Sequence, residues 1–407
     1  MTSRGSESGH PAFDAPNYGA AGLSSVLPSV AASLGVPPNP HAPDVFDASG
    51  VSGASGALAD PDAGLIALPA ADRAVVVLVD GLGERLLARR GGHAPFLRGL
   101  VAQGHRLTCG FPSTTATSMG TFGTGLPPGA HGLVGYEVLD PRRDLTFNEL
   151  SWENGPDPRQ WQPAQTVFER AAAAGVTVTM IGPNYFEGSG LTTAALRGAH
   201  FRGARDLAGR VEEALAALRE SPRALVYLYW GELDKVGHVR GCDSWQWGDE
   251  LEAIDRALSQ LAQRLPRGTA LHVTADHGMV DVPHENRLDI AHEPVLSAGV
   301  RHVAGEARAV QLFCQEGAID DVVAAWRGTL GDRAWVLPRA EVERLGWFGP
   351  ISSGVRPRIG EIVVAMRDLT AVVDSRSQRP ELISLLGLHG SLTDDEIAVP
   401  LLSVAPS

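Results

Sequence analysis

Cysteine is scarce in this sequence of 407 residues, which contains only Cys109, Cys242 and Cys314, far apart and without Cys-x-x-Cys spacing. A sparse, odd set of this kind argues against a disulfide framework and favours a reducing compartment. Long apolar runs are also lacking, and no segment reaches the length of a membrane span. The N-terminus does not show the basic and apolar pattern of a signal peptide. We therefore expect a cytoplasmic protein with no membrane contact.

Positively charged residues are fewer than negatively charged ones: the chain has 34 lysines and arginines and 47 aspartates and glutamates, for a formal net charge of −13. Proteins that bind nucleic acid duplexes through the backbone carry a basic face, so we expect no duplex binding. A small phosphorylated ligand is compatible with this charge, since bound dications can reverse the local field. Hydrophobic residues make up 44% of the chain, enough for a sizeable core. The length fits either several domains or one large α/β domain with an insertion.

Short apolar runs without alternation predict strands that are buried on both faces, as in a parallel sheet. These runs cover residues 74–79, 176–181, 224–229 and 270–275. Amphipathic helices are predicted between runs, over residues 206–219 and 249–265. The alternation of strands and helices predicts a layered α/β fold. We expect a flexible tail over residues 1–17, one domain over residues 18–407, and an α+β cap subdomain inserted into that domain over residues 279–388.

Aspartate and histidine side chains follow the predicted strands at their carboxyl ends, where open α/β sheets bind ligands. Asp80 directly follows the first run, and Asp276 and His277 follow the fourth. Asp234 lies a few residues past the third run, with His238 four residues later. That i, i+4 spacing places two ligands on one face of a helical turn, an arrangement that suits zinc. Taken alone, Asp80 could be a turn or capping residue, and Asp234 with His238 an exposed pair.

A hydroxyl-rich segment over residues 113–118 lies between the first two runs. Its simplest interpretation is a capping cluster at the start of a helix. The same geometry also serves chemistry, because a helix N-terminus offers free N–H groups to a phosphate oxygen. His389, near the C-terminus, brings the candidates to three aspartates and three histidines. Together with the hydroxyl segment they make up the ligand inventory of a two-metal phosphoryl-transfer centre.

Taken in order, these segments resemble the alkaline phosphatase superfamily, and in particular its nucleotide pyrophosphatase/phosphodiesterase branch. The matching residues are 79–81, 111–115, 124–132, Asp234, His238, 276–279 and 388–392. The resemblance implies a three-layer α/β/α sandwich with a mostly parallel central sheet. It also implies two zinc ions, with manganese or a mixture of metals as alternatives.

The resemblance assigns each candidate a role. The ligands of one zinc ion would be Asp234, His238 and His389. The ligands of the other would be Asp80, Thr115, Asp276 and His277. Thr115 takes the position of the family's nucleophile, which would form a phosphothreonine intermediate. Thr114 is the alternative nucleophile.

The sequence departs from this family at the position of an asparagine that contacts a phosphoryl oxygen, where Tyr136 stands instead. A tyrosine hydroxyl can donate to the same oxygen, and a packing role is the alternative. The preference between monoesters and diesters therefore stays open. Asn184 and Phe186, after the second run, are further candidates for substrate contact, with packing against the cap as the alternative. His131 is expected to be a buried structural histidine.

The resemblance implies a zinc-dependent hydrolase of small-molecule phosphoric esters, with phosphodiester or nucleotide pyrophosphate bonds favoured. A phosphomonoesterase or phosphonate hydrolase on the same two-metal centre is the alternative among enzymes. A catalytically silent metal-binding scaffold is the alternative outside them. A nucleophile at Thr115 argues against the scaffold, because a purely structural metal site requires none.

Overall fold

The computed structural model describes residues 15–37 and 64–407. Of the tail predicted over residues 1–17, residues 1–14 lie outside the described part. Asn17 donates its backbone N–H to the hydroxyl of Thr108 over 2.7 Å. Within the two described ranges, no helix combines the length and the apolar character needed to cross a bilayer.

The described residues form seventeen strands and sixteen α-helices, joined by loops and short 3-10 turns. The strands are β1 Arg73–Val79, β2 His105–Thr108, β3 Glu137–Asp140, β4 Leu145–Asn148, β5 Thr177–Gly182, β6 His200–Gly203, β7 Ala224–Trp230, β8 Thr269–Thr274, β9 Val280–Asp281, β10 Arg287–Asp289, β11 Val300–Glu306, β12 Ala309–Cys314, β13 Ala334–Pro338, β14 Ile362–Met366, β15 Ala371–Val373, β16 Gly387–Leu388 and β17 Ala398–Val404. The helices are α1 Val26–Ser33, α2 Glu84–Arg90, α3 Pro95–Leu100, α4 Thr115–Thr124, α5 Pro128–His131, α6 Pro158–Trp161, α7 Val167–Ala173, α8 Gly190–Ala195, α9 Leu207–Glu220, α10 Glu232–Arg240, α11 Trp245–Arg264, α12 Pro294–Ser297, α13 Ile319–Leu330, α14 Arg339–Arg344, α15 Pro380–Ile383 and α16 Asp394–Ile397.

The main sheet has seven strands in the order β2-β17-β8-β1-β7-β5-β6. All its neighbours pair in parallel except β17, which runs antiparallel to both β2 and β8. Strand β1 lies at the centre, and six of its seven residues are buried. Its side chains point alternately to both faces, so continuous burial requires cover on each side. The predicted mostly parallel central sheet is confirmed.

Helices cover both faces of this sheet. Helix α4 contacts α1, α7 and α8 in one layer, and α11 contacts α3 and α9 in a second layer. The predicted three-layer α/β/α sandwich is therefore confirmed. The four predicted strands begin and end within one residue of the expected positions. Helix α11 begins earlier than predicted, at Trp245, because the Ser244 hydroxyl caps it by accepting from the N–H of Trp247 over 3.2 Å.

A second, antiparallel sheet has the order β13-β14-β12-β11-β3-β4. Four of its strands come from the segment predicted as an inserted cap, and β3 and β4 come from residues 137–148. One face of the sheet packs against α13 in a separate apolar cluster. Arg308 joins the sheet to the main domain through a fully buried ion pair with Glu396, Nε to Oε1 at 2.7 Å. Removing either partner would leave an unpaired buried charge at this junction, at a cost of about 3–5 kcal/mol.

Candidate metal centre

Adjacent strands of the main sheet, β8, β1 and β7, bring the predicted ligands to one edge. Asp80 directly follows β1, and Asp276 and His277 lie just past β8. Helix α10 begins two residues after β7 and carries Asp234 and His238. Because the three strands are parallel, their carboxyl ends meet at the same edge, where α/β sheets bind ligands.

The turn after Asp80 keeps these segments close together. Gly81 adopts φ +73°, and a Cβ at this position would lie 3.1 Å from the side chain of Asp234. The N–H of Gly81 donates to Oδ1 of Asp276 over 3.2 Å. A glycine is needed here both for the backbone conformation and for the close approach of α10.

One ligand group consists of Asp80, Asp276 and His277, which are all buried. Nε2 of His277 lies 3.4 Å from Oδ1 of Asp80 and 3.5 Å from Oδ2 of Asp276. The hydroxyl oxygen of Thr115 lies 3.3 Å from the same nitrogen. The structure thus brings together the four residues that the family resemblance assigns to one ion.

The other ligand group consists of Asp234, His238 and His389. Nε2 of His238 lies 3.3 Å from Oδ2 of Asp234, as the i, i+4 spacing on α10 predicts. Nε2 of His389 lies 3.9 Å from Oδ1 of the same aspartate. The two groups adjoin, because the rings of His277 and His389 stack with centroids 3.7 Å apart.

Each of the three histidines turns its Nδ1 to a backbone carbonyl. His238 contacts the carbonyl of Gly387 at 2.7 Å, and His389 that of Ser113 at 2.8 Å. His277 contacts the carbonyl of Gly278 at 3.0 Å. A carbonyl only accepts, so Nδ1 carries the proton and each Nε2 presents a lone pair to the carboxylates. Histidines that bind metals are typically oriented in this way.

Three carboxylate oxygens of the centre receive no hydrogen bond from the described residues. Oδ1 of Asp80, Oδ1 of Asp234 and Oδ2 of Asp276 are buried and have no hydrogen-bond partner in the described part of the chain. Burial, followed by the charges of Asp276 and Asp234, raises the pKa of Asp80 well above its usual value. Burial also raises the pKa of Asp276. Carboxylate oxygens without donors next to imidazole lone pairs fit divalent cations as the missing partners.

Thr115 and Thr114 differ in position although they are neighbours. Thr115 is the first residue of α4 and is half-buried, with its hydroxyl facing the first ligand group. Thr114 is only 1% exposed. A nucleophile must reach a substrate, so the geometry favours Thr115 of the two predicted candidates.

Residues 74–392 match the family model described as type I phosphodiesterase/nucleotide pyrophosphatase. The match contains every residue of both ligand groups and Thr115. The chain belongs to this family. It is also 29% identical over 210 residues to an uncharacterized pyrophosphatase/phosphodiesterase of Schizosaccharomyces pombe, covering 50% of this chain and 41% of that protein. The chain spans about two fifths of the length of the curated relatives it matches first.

Solved structures share the fold of this family member. The inactive form of murine ectonucleotide pyrophosphatase/phosphodiesterase 5 in complex with AMP superposes with a TM-score of 0.66, at 20% identity over 82% of this chain and 88% of that one. Phosphonoacetate hydrolase from Sinorhizobium meliloti 1021, in complex with phosphonoformate, gives 0.64 at 21% identity, over 83% and 91%. At these identities the likeness establishes the fold, the alkaline phosphatase-like sandwich that the sequence predicts.

Tyr229 is a residue of this phosphodiesterase-family centre that sequence reasoning missed. It lies near the end of β7, and its hydroxyl donates to Oδ2 of Asp80. Phe186, a predicted substrate contact, packs on the ring of Tyr229 with centroids 5.3 Å apart. Asn184, also predicted, is exposed and lies over Gly203 at the end of β6.

Glu306 is the second missed residue, and it enters the centre from the second sheet. Its Oε2 lies 3.9 Å from Nδ1 of His389, and its Oε1 is buried with no hydrogen-bond partner among the described residues. Burial raises its pKa to about 8. Tyr136, predicted at the family's asparagine position, is half-buried near Glu306. A glutamate at a strand end gives no sequence signal of such a position.

His131 is buried away from both ligand groups, as expected of a structural histidine. Its Nδ1 accepts from the N–H of Leu133, and its Nε2 contacts the hydroxyl of Thr121, each at 3.1 Å. Burial lowers its pKa to about 3, so the ring is neutral at physiological pH. A Cβ on Gly120 would lie 2.4 Å from this ring, which shows how closely α4 packs on it.

Proposed function

We propose that this protein hydrolyses small-molecule phosphoric esters, with phosphodiester or nucleotide pyrophosphate bonds as its preferred substrates. The observation that carries the proposal is the half-buried Thr115 hydroxyl, 3.3 Å from Nε2 of His277 at the start of a helix. Family membership supports the reaction type. The AMP complex of the murine relative supports a nucleotide as the substrate class.

The proposed cofactors are two zinc ions. The ligands of one would be Asp234, His238 and His389. The ligands of the other would be Asp80, Thr115, Asp276 and His277. Bound zinc would lower the pKa of the Thr115 hydroxyl and stabilise negative charge on the phosphoryl and leaving oxygens. Manganese or a mixed pair is the alternative, because aspartate and histidine accept several dications.

The proposed reaction has two steps, and both take place at the Thr115 hydroxyl. Oγ1 of Thr115 bonds to phosphorus and releases its proton to solvent, while the bond to the leaving oxygen breaks and that oxygen takes a proton from water. The first N–H groups of α4 have no acceptor within the helix and are available to the phosphoryl oxygens. Water then attacks the phosphothreonine, and the product leaves as Thr115 regains its proton.

Substrate contacts are proposed on both sides of this hydroxyl. Tyr136 and Glu306 approach from the second sheet, and Phe186 from the main domain against Tyr229. Asn184 lies farther out, on the exposed turn after β5. Exchanging Tyr136 for asparagine is the direct test of its influence on the choice between monoester and diester.

The test compares an aryl phosphodiester with the matching aryl phosphomonoester, using zinc-loaded and chelated protein. We expect a preference for the diester that chelation abolishes. Thr115→Ala should lose at least about 1,000-fold in turnover while keeping its metal, in the range seen when nucleophiles are removed. Thr329→Ala, in α13 on the second sheet, is the matched control and should hydrolyse normally. Unchanged hydrolysis by Thr115→Ala would show that another group is the nucleophile.

The cytoplasm is the proposed location, and the support for it is thiol chemistry. Cys109 and Cys242 are buried free thiols, and Cys314 is a half-buried one. Fractionation of cells that make the full-length protein tests the location directly.

A further inference from the structure

Glu396, in the short helix α16, bonds to the turns that carry two of the three histidines of the centre. Its side chain is fully buried, and its Oε1 accepts from the N–H of Ser391 over 3.0 Å, two residues after His389. Its backbone carbonyl accepts from the N–H of Gly278 over 2.7 Å, directly after His277. One residue therefore holds one turn with its side chain and the other turn with its main chain.

The turn after His277 lies directly on α16. A Cβ on Gly278 would lie 2.0 Å from the carbonyl oxygen of Asp395, so this close approach requires a glycine. The rings of His277 and His389 stack with centroids 3.7 Å apart, and each ring belongs to a different ligand group. The spacing of the two turns therefore determines the spacing of the two groups, and Glu396 bonds to both turns.

The carboxylate of Glu396 is itself held by several donors. Nε and Nη2 of Arg308 donate to its two oxygens over 2.7 and 2.8 Å, and both side chains are fully buried. The hydroxyl of Thr393 donates to Oε2 over 2.5 Å. Nη1 of Arg308 donates to the carbonyls of Asp368 and Thr370 over 2.7 and 2.8 Å. Because a bidentate arginine and a further donor restrict the carboxylate, its acceptor oxygens have fixed positions.

The turn that contains Ser391 also holds the segment before Thr115. The carbonyl of Ser391 accepts from the hydroxyl of Ser113 over 2.7 Å, and the N–H of Ser113 donates to the carbonyl of Gly390 over 3.0 Å. Nδ1 of His389 donates to the carbonyl of Ser113 over 2.8 Å. The position of this turn therefore influences both His389 and the start of α4.

We propose that Glu396 is a positioning residue that sets the spacing between the two ligand groups. Its carboxylate places the turn of His389 and its carbonyl places the turn of His277, so that each ring faces its own group. This inference rests on the proposed pair of metal ions. Because the side chain acts on one turn only, removing its acceptor should weaken the site that contains His389 more than the site that contains His277.

Two double variants test this role without leaving a buried charge unpaired. Arg308→Met with Glu396→Gln keeps an acceptor oxygen for the N–H of Ser391, and Arg308→Met with Glu396→Leu offers none. Replacing a buried ion pair with uncharged side chains of similar volume is often neutral for stability, so both proteins should fold. The two variants share the loss of Arg308 and differ in the acceptor, so each is the matched control of the other.

Competition with a chelator measures the binding of each zinc ion. The leucine variant should bind one ion about 10- to 100-fold more weakly, the usual effect of losing a group that orients a ligand. Its other ion, and both ions of the glutamine variant, should stay within about threefold of the unchanged protein. Equal binding by the two variants would overturn the inference. Equal weakening of both ions in the leucine variant would also overturn it, because a general loosening of the fold affects both sites.

Hydrogen exchange of the peptide over residues 111–119 tests the same placement in the metal-free protein. None of the N–H groups of this segment bonds to Glu396, but Ser113 bonds to the turn that Glu396 holds. The peptide should exchange about tenfold faster in the leucine variant than in the glutamine variant. Equal exchange would contradict the inference. If the unchanged protein binds no zinc, the proposed metal pair is wrong, and this comparison still decides whether Glu396 places the turn.

Discussion

Replacing Asp276 with asparagine should stabilise the metal-free protein and destabilise the zinc-loaded one. Oδ1 of Asp276 accepts from the N–H groups of Gly81 and His277, at 3.2 and 3.1 Å, while Oδ2 is buried without a partner among the described residues. Oδ2 lies 3.5 Å from Nε2 of His277, which carries a lone pair. An asparagine keeps both bonds to Oδ1, and its amide N–H₂ group can donate to that nitrogen.

The expected change in the free energy of unfolding can be estimated from the unsatisfied Oδ2 of Asp276. An unsatisfied buried polar group costs about 1–3 kcal/mol, and the substitution relieves one. An unfolding entropy of about 2.1 cal/mol/K per residue gives roughly 0.85 kcal/mol/K for this chain of 407 residues. The Tm should therefore rise by about 1–4 °C in chelator. At about 1,000 times Kd, bound zinc adds about 4 kcal/mol, or roughly 5 °C, to the unchanged protein. Asp276→Asn weakens one ligand and should lose most of that gain.

The assay is scanning calorimetry of both proteins with chelator and with zinc, and the expected result is a reversal of their order. Asp255→Asn is the control, because Asp255 is equally buried but accepts from the N–H groups of Phe96 and Leu97 with its two oxygens. That variant should lose stability in both conditions. If Asp276→Asn also loses stability in chelator, the idea that its carboxylate is an unmet charge is wrong.

Other perturbations give further expected outcomes. Burial raises the pKa of Glu149 to about 8, so between pH 4.5 and 8 the folded state holds a proton that the unfolded state has lost. The free energy of unfolding of the chelated protein should therefore fall as the pH rises towards 8. Calorimetry of Glu149→Gln should show a shallower dependence on pH. Tyr229→Phe removes the donor to Asp80 and should weaken zinc binding by about 10- to 100-fold in a chelator competition. Gly120→Ala pushes a methyl group into the His131 ring and should lower stability by about 1–3 kcal/mol in a urea titration, with metal content unchanged.

The sequence predicts the central sheet well, because strands covered on both faces leave a signal in composition alone. Strand β1 is such a case: its apolar run contains no alternation, and its residues are buried in the structure. Strands β3 and β4 show the opposite case. Strand β4 pairs with β3, and β3 pairs in turn with β11, more than 150 residues later. Pairing at that distance depends on tertiary contacts that no local pattern records.

The residues of the centre also fall into two groups, those that the sequence predicts and those that it does not. Asp80, Asp234 and Asp276 could be predicted because each lies just beyond a predicted strand, at the edge where such sheets bind ligands. Tyr229 and Glu306 could not, since their roles depend on which groups they meet in three dimensions. The stacking of His277 on His389 is of the same kind, because it joins residues 112 positions apart in the chain.

The carboxylates of the centre cannot relieve their repulsion by moving apart. Asp80 and Asp276 extend from neighbouring strands in fixed register, with Val77 opposite Val273, and the bond from Gly81 to Asp276 ties the two turns together. Separating them would break sheet hydrogen bonds and expose buried strands. The fold therefore keeps these carboxylates close together, which lowers the stability of the metal-free protein and would be offset when dications bind. Functional sites often lower the stability of a protein in this way. The rigid sheet edge thus sets the positions of the ligand side chains before a substrate arrives.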